Sequence, residues 1–279
     1  MNEEGNRKRD ESRRVFSEAA PIYDRIGPPI FSHFGQRLVD VSEMPLGANV
    51  LDVAAGRGAV LFPAAAKVGT SGRVIGIDFT TAMVRETAKD IASRKIANAE
   101  IRQMDAEQLE FDDAAFDYVT CGFAIQMFAE PVRVLQEFYR VLTPGGQLAL
   151  STWAADNPAQ TWCHEVLRPF VPAPAPKPLA TKDDLKFDTP LQLETVLRLS
   201  GFADIQIAVE EKEFVYRSEE QYWSSLWSSG LRRQLDKMTA DLLEQAKSEV
   251  IRKFQTFRQP DGFHKLSRAL FAFAKKLPM

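Results

Sequence analysis

The sequence predicts a doubly wound α/β fold, and three observations predict it. Short apolar runs recur through the first half of the chain, among them "NVLDV", "RVIGID" and "FDYVTC". Segments with apolar residues at helical spacing separate them, and such alternation implies right-handed crossovers and a parallel sheet. The first run also ends in a small-residue turn, "AAGRG", of the kind that lets a ligand approach the backbone at the sheet's edge.

Taken in order, residues 1–11, "MNEEGNRKRDE", carry charges of both signs and read as a flexible tail. From Ser12 to about Asp24, Val15, Phe16 and Ala19 recur at helical spacing. "IGPPI" breaks the chain, and a helix over about Phe31 to Glu43 follows. "NVLDV" is the first strand, and a helix follows Gly58. "RVIGID" is the second strand, and "TTAMVRETAKDIASRK" is a helix that Thr80 or Thr81 can cap. "AEIRQM" and "FDYVTC" are the third and fourth strands. A helix from about Glu130 to Leu142, a "TPGG" turn and the strand "QLALSTW" complete the run.

Residues 154–188 interrupt the rhythm with a helix near Pro158–Phe170 and then "VPAPAPKP". Alternating prolines favour extended, semi-rigid chain. This piece serves either as a connector or as part of a lid. A helix over Pro190–Ser200, capped by Gly201, leads to a strand near "DIQIAV". Helices near 218–228 and 231–257 precede a final strand or helix at "HKLSRALFAFAKK". Residues 12–279 thus form a single domain, with cap elements drawn from 12–45 and 154–200.

A net charge of −3 argues against a protein built to grip nucleic acid, which needs a surplus of Lys and Arg. No apolar stretch is long enough for a membrane helix, and the N-terminus has no secretory pattern. Cys121 and Cys163 lack metal-ligand spacing, so no metal is expected. The expectation is a reduced cytoplasmic protein.

The first strand raises a question of its own, because it carries an acid, Asp52, just before the glycine turn. A dinucleotide fingerprint needs a third glycine, and Leu61 stands there instead. A carboxylate in that place repels a pyrophosphate, but it suits a ligand with positive charge and amino-acid groups.

"LDVAAGRG" resembles the first motif of the class I S-adenosylmethionine (SAM) methyltransferases, with Ala54 where glycine is commoner and Gly56 in the turn. Later segments fit the same family. The resemblance implies that Asp78, ending "VIGID", bridges the ribose hydroxyls, with Phe79 beside it. It implies that Met83 packs on the adenine, and that Asp105 and Ala106 in "MDAEQLEF" lie near the adenine amino group. Phe123 and Gln126 fall where the loop after the fourth strand faces the cofactor. "VFSEAAPIYDRIG" resembles the entry segment of the ubiquinone/menaquinone C-methyltransferase-like branch, where Tyr23 would close over the methionine end. Tyr23 is equally compatible with packing under the sheet.

The resemblance covers residues 12–153 and implies a Rossmann-like, seven-stranded, mostly parallel sheet with an antiparallel last strand and a helical cap. It implies SAM as cofactor and a small-molecule acceptor such as a quinone, polyketide or alkaloid, methylated on carbon or oxygen. Two alternatives stay open: N-methylation, and a SAM-binding enzyme that transfers no methyl group, such as a cyclase. No nucleic-acid or membrane partner is expected, and a homodimer is left open. No catalytic base is assigned, since His33, His164 and His264 each have ordinary structural explanations. Phe31, Phe34, Trp153, Trp162, Tyr222, Trp223 and Trp227 either fill a core beneath the cap or line an acceptor pocket.

Overall fold

A computed structural model describes residues 3–171 and 186–278. The proline-alternating run beyond Val171 lies outside the described residues. Five strands occupy the first half: β1 (Asn49–Val53), β2 (Arg73–Asp78), β3 (Ala99–Gln103), β4 (Phe116–Gly122) and β5 (Leu142–Trp153). β6 (Ala203–Tyr216), the two-residue β7 (Arg258–Gln259) and β8 (Gly262–Lys275) follow. The sheet runs β3-β2-β1-β4-β5-β8-β6. The expected seven strands form this path, and β7 is an eighth that pairs with the start of β8 as a hairpin. β1 pairs in parallel with both β2 and β4, so the strand order reverses at β1 and a crevice opens beyond its C-terminal end. β8 runs antiparallel to β5 and β6.

The helices are α1 (Glu3–Ala19), α2 (Ile30–Val41), α3 (Leu61–Val68), α4 (Thr81–Ser93) and α5 (Pro131–Val141). After the sheet's first half come α6 (Pro158–Leu167), α7 (Pro190–Leu199), α8 (Glu219–Leu226), α9 (Arg232–Leu235) and α10 (Ala240–Phe254). On one sheet face α5 and α7 bury Leu135, Phe138, Val141, Val196 and Leu197. On the other, α2 and α3 bury Phe34, Leu38, Leu61, Ala64 and Val68. Each large apolar side chain taken from water contributes about 1.5–3 kcal/mol, which is why the amphipathic stripes choose these faces. A third apolar cluster joins α6, α8 and α10 through Val166 and Leu167, Trp223 and Leu226, and Val250. Its centre is a ring stack in which Phe254 lies 4.0 Å from Tyr222 and 4.9 Å from Phe263.

Several boundaries differ from expectation. The tail expected over residues 1–11 is helical from Glu3 onward, continuous with the apolar stripe of α1. Ion pairs hold it: Arg9 reaches Asp105 and Glu107, and Glu11 meets Lys237 at 2.9 Å. α1 then stops at Ala19, and Asp24 turns the chain with φ +56° while accepting the backbone N–H of Phe31 and Ser32. "TPGG" lies within β5 as a bulge. Phe116 faces Leu142 while Tyr118 faces Gln147, so residues 143–146 loop out of register. The helix expected over 231–257 is broken into α9 and α10, and the Thr239 side chain caps the second.

Candidate active site

The turn after β1 has three residues in the left-handed region: Ala54 (φ +54°), Gly56 (φ +51°) and Gly58 (φ +81°). For Ala54 that conformation costs about 1–2 kcal/mol, a strain placed at the mouth of the crevice. At Gly58 a Cβ would lie 2.4 Å from the Phe62 ring, whereas at Gly56 it would meet only the Ala54 carbonyl at 3.9 Å. Gly56 therefore presents open backbone.

Asp52 is 1% exposed. Its Oδ1 accepts the Thr120 hydroxyl at 2.8 Å, and its Oδ2 has no hydrogen-bond partner. Burial pushes the carboxyl up to about 7, with the Thr120 hydroxyl and the Leu61 backbone N–H pulling the other way. An unpartnered buried carboxylate oxygen is costly unless something charge-complementary meets it. Asp52 lines a recess with Tyr23, Gly56 and Phe123.

Asp78 ends β2. Its Oδ2 accepts the Gly56 N–H at 3.0 Å and its Oδ1 the Thr80 N–H at 2.8 Å. Thr80 is the backbone N-cap of α4, but its side chain makes no capping bond. Burial raises the Asp78 carboxyl, opposed by these backbone donors. Of the eleven residues placed toward a cofactor in the sequence, all but Asp52 and Gln126 line one cavity of about 860 Å³. Asp105 is at the wall with its carboxylate paired to Arg9, and it also accepts the Glu107 N–H at 3.0 Å.

Some lining residues gave no signal in the sequence. Arg9 reaches Asp105 and Glu107 across nearly a hundred residues, and Arg13 lies 4.6 Å from the centre of the Phe79 ring. Nothing local in a charged tail reports such pairings.

A larger cavity, about 1390 Å³, adjoins the first. Tyr23 and Phe123 line both of these and the Asp52 recess as well. Phe123, with φ +55°, leans on Trp153 at 4.2 Å, and Tyr23 stacks on Phe31 at 5.0 Å. Desolvation, with Asp24 and Asp78 adding to it, raises the Tyr23 hydroxyl above the ordinary phenol range, so it stays neutral. The Gln126 amide donates to the Phe123 carbonyl at 3.0 Å. Of the aromatics singled out in the sequence, Phe31, Trp153 and Tyr222 line this cavity, whereas Phe34 and Trp223 are buried in core clusters. His164 is on the cavity wall. His33 packs edge-on against Phe34 and Phe214, and His264 pairs with Glu213 and Asp261. The sequence reading missed Lys265, which is 2% exposed and lines the same cavity. Strand alternation was the available signal: Lys265 falls on the face of β8 that carries Phe263, Ala269 and Phe271.

No helix among the described residues is long and apolar enough to cross a membrane. Residues 46–187 match the model of a family described as a methyltransferase domain. Nocamycin O-methyltransferase of Saccharothrix syringae is 32% identical over 248 residues, covering 85% of this chain and 89% of that enzyme. Aklanonic acid methyltransferase DauC of Streptomyces sp. (strain C5) is 38% identical over 139 residues, covering 50% of this chain and 63% of that enzyme. Among solved structures, the YcgJ protein of Bacillus subtilis superposes with a TM-score of 0.60 at 20% identity, covering 88% of this chain and all of that one, a likeness of fold.

Proposed function

The chain belongs to the methyltransferase domain family, as a class I SAM-dependent methyltransferase acting on small molecules; from that premise we propose that the 860 Å³ cavity and the Asp52 recess hold SAM and that the 1390 Å³ cavity holds an apolar, ring-bearing acceptor. The residues present fit the cofactor, because the orphaned Asp52 Oδ2 and the open backbone at Gly56 suit a cationic amino-acid end. Asp78 would hold the ribose hydroxyls, and Met83 and Ala106 would flank the adenine. Phe79 and Asp105 would complete that end.

SAM supplies a methyl group already made electrophilic by its sulfonium. The chain's share of the work is therefore placement and exclusion of water. The observation that carries the reading is that Tyr23 and Phe123 wall all three spaces, so a donor and an acceptor meet between two aromatic rings. Holding two reactants in near-attack geometry can supply about 7–11 kcal/mol of a barrier in favourable cases. The Tyr23 hydroxyl, kept neutral by burial, would serve a ligand there as a hydrogen-bond donor and takes no proton.

Oxygen is the favoured site of methylation, supported by the relative matched over most of its length, which is named an O-methyltransferase. The acceptor belongs to the aromatic polyketides or quinones, supported by the aromatic lining from Phe31 to Trp153. The test incubates the protein with SAM and a panel of hydroxylated naphthoquinones, anthraquinones and alkaloids, read by mass spectrometry. A gain of one methyl with matching S-adenosylhomocysteine (SAH) on a hydroxylated ring compound is expected. Methylation of amines alone would overturn the acceptor assignment.

A further inference from the structure

Lys265 is a buried amine without a charge partner, on the wall of the larger cavity, where burial pushes it down to about 7. Its Nζ makes two long hydrogen bonds, to the Ala159 carbonyl at 3.3 Å and the Tyr222 hydroxyl at 3.4 Å. The Trp162 ring centre is 3.7 Å away and that of Phe257 4.7 Å. Among the described residues no carboxylate comes within ion-pair distance of it. The one other ammonium or guanidinium on that cavity, Arg233, is already engaged by Glu11 and by the Ser12 hydroxyl. Asp24, the acid on the same wall, is held by Phe31 and Ser32. A structural role alone would be served better by an apolar residue, since a buried ammonium keeps most of its desolvation cost when only ring faces and long hydrogen bonds surround it.

We propose that Lys265 recognises an ionised oxygen, an enolate or phenolate, carried by the acceptor away from the atom to be methylated. The inference rests on assigning the larger cavity to the acceptor, and it narrows that acceptor to an acidic ring compound. The ammonium lies on β8, the Tyr23–Phe123 pair lies where that cavity meets the smaller one, and an acceptor spanning the two is held in one orientation. Lys265 is thus a specificity-determining residue. It passes no proton in the transfer.

The experiment measures tryptophan-fluorescence quenching, with SAH at saturation, by lawsone (a hydroxynaphthoquinone ionised at neutral pH) and by its neutral methyl ether. Wild type should bind the anion about tenfold more tightly than the ether, the usual worth of one hydrogen bond to a charged group. Lys265→Met should bind the two alike while its SAH affinity stays unchanged. The proposal is overturned if the Met variant keeps the preference or if wild type shows none. Removing an unpaired buried charge should not unfold the chain. If Lys265→Met nevertheless loses SAH binding, Lys265→Gln takes its place in the same comparison, with the same two outcomes. Failure of wild type to take up SAH would strike the cofactor assignment, whereas intact SAH binding without anion preference would strike Lys265 alone.

Discussion

Asp52 carries the chemistry of the site in one atom. Its buried Oδ2 lacks a partner, and a cationic ligand supplies one. Asp52→Asn is expected to weaken SAM binding by about 1.5–3 kcal/mol, the range for a hydrogen bond to a charged group, read by calorimetry. The ligand-free chain should respond in the opposite sense. Burial raises the folded carboxyl to about 7, so between about pH 4 and 7 the folded chain binds more protons than the unfolded one. Stability therefore falls as pH rises through that window, and the Asn variant loses Asp52's share of the slope and is the more stable at pH 7. Melting temperature against pH measures this; Asp78, raised by the same cause, keeps its own share in the variant. Ala54→Gly relieves a left-handed strain of about 1–2 kcal/mol against an entropic cost of about 0.5–1 kcal/mol, so its urea midpoint should rise slightly. Asp52, Gly56 and Asp78 were legible because each sits at a strand end marked by small residues. Lys265 was not, because one lysine in a short run that also suits a helix reads as surface until the strand period is fixed.

At the scale of elements, α2 is locked to the glycine turn through Gly35. A Cβ there would fall 2.2 Å from the Ala59 carbonyl, in the segment just after the glycine turn. Gly35→Ala must push α2 off that turn, an overpacking that costs about 1–3 kcal/mol or more. It should lower the urea midpoint and raise the KM for SAM together, whereas a purely peripheral helix would move only the first. The alternation of strands and helices was legible because apolar period and turn residues agree along 49–153. The start of α1 was not, since its charged turns find partners such as Asp105 and Asp236 only once the chain is folded. β6 likewise runs on to Tyr216, well past the apolar "DIQIAV", because its polar residues face water while β8 satisfies its backbone.

At the scale of the whole molecule, the three cavities share Tyr23 and Phe123 as walls, and a bound ligand should stabilise the folded chain. SAH at about a hundredfold its Kd adds about 2.7 kcal/mol to the folded state. In a chain of this size, where 1 kcal/mol moves the midpoint by about 2 °C, that corresponds to a rise in Tm of about 5 °C. The account's central claim is that the crevice beyond β1 is built for a sulfonium-bearing amino-acid nucleoside rather than a dinucleotide. Titrating the purified protein with SAH and, separately, with NAD in a calorimeter tests it most directly. One-site uptake of SAH with no heat from NAD is the predicted result; saturable NAD binding with none of SAH would contradict it.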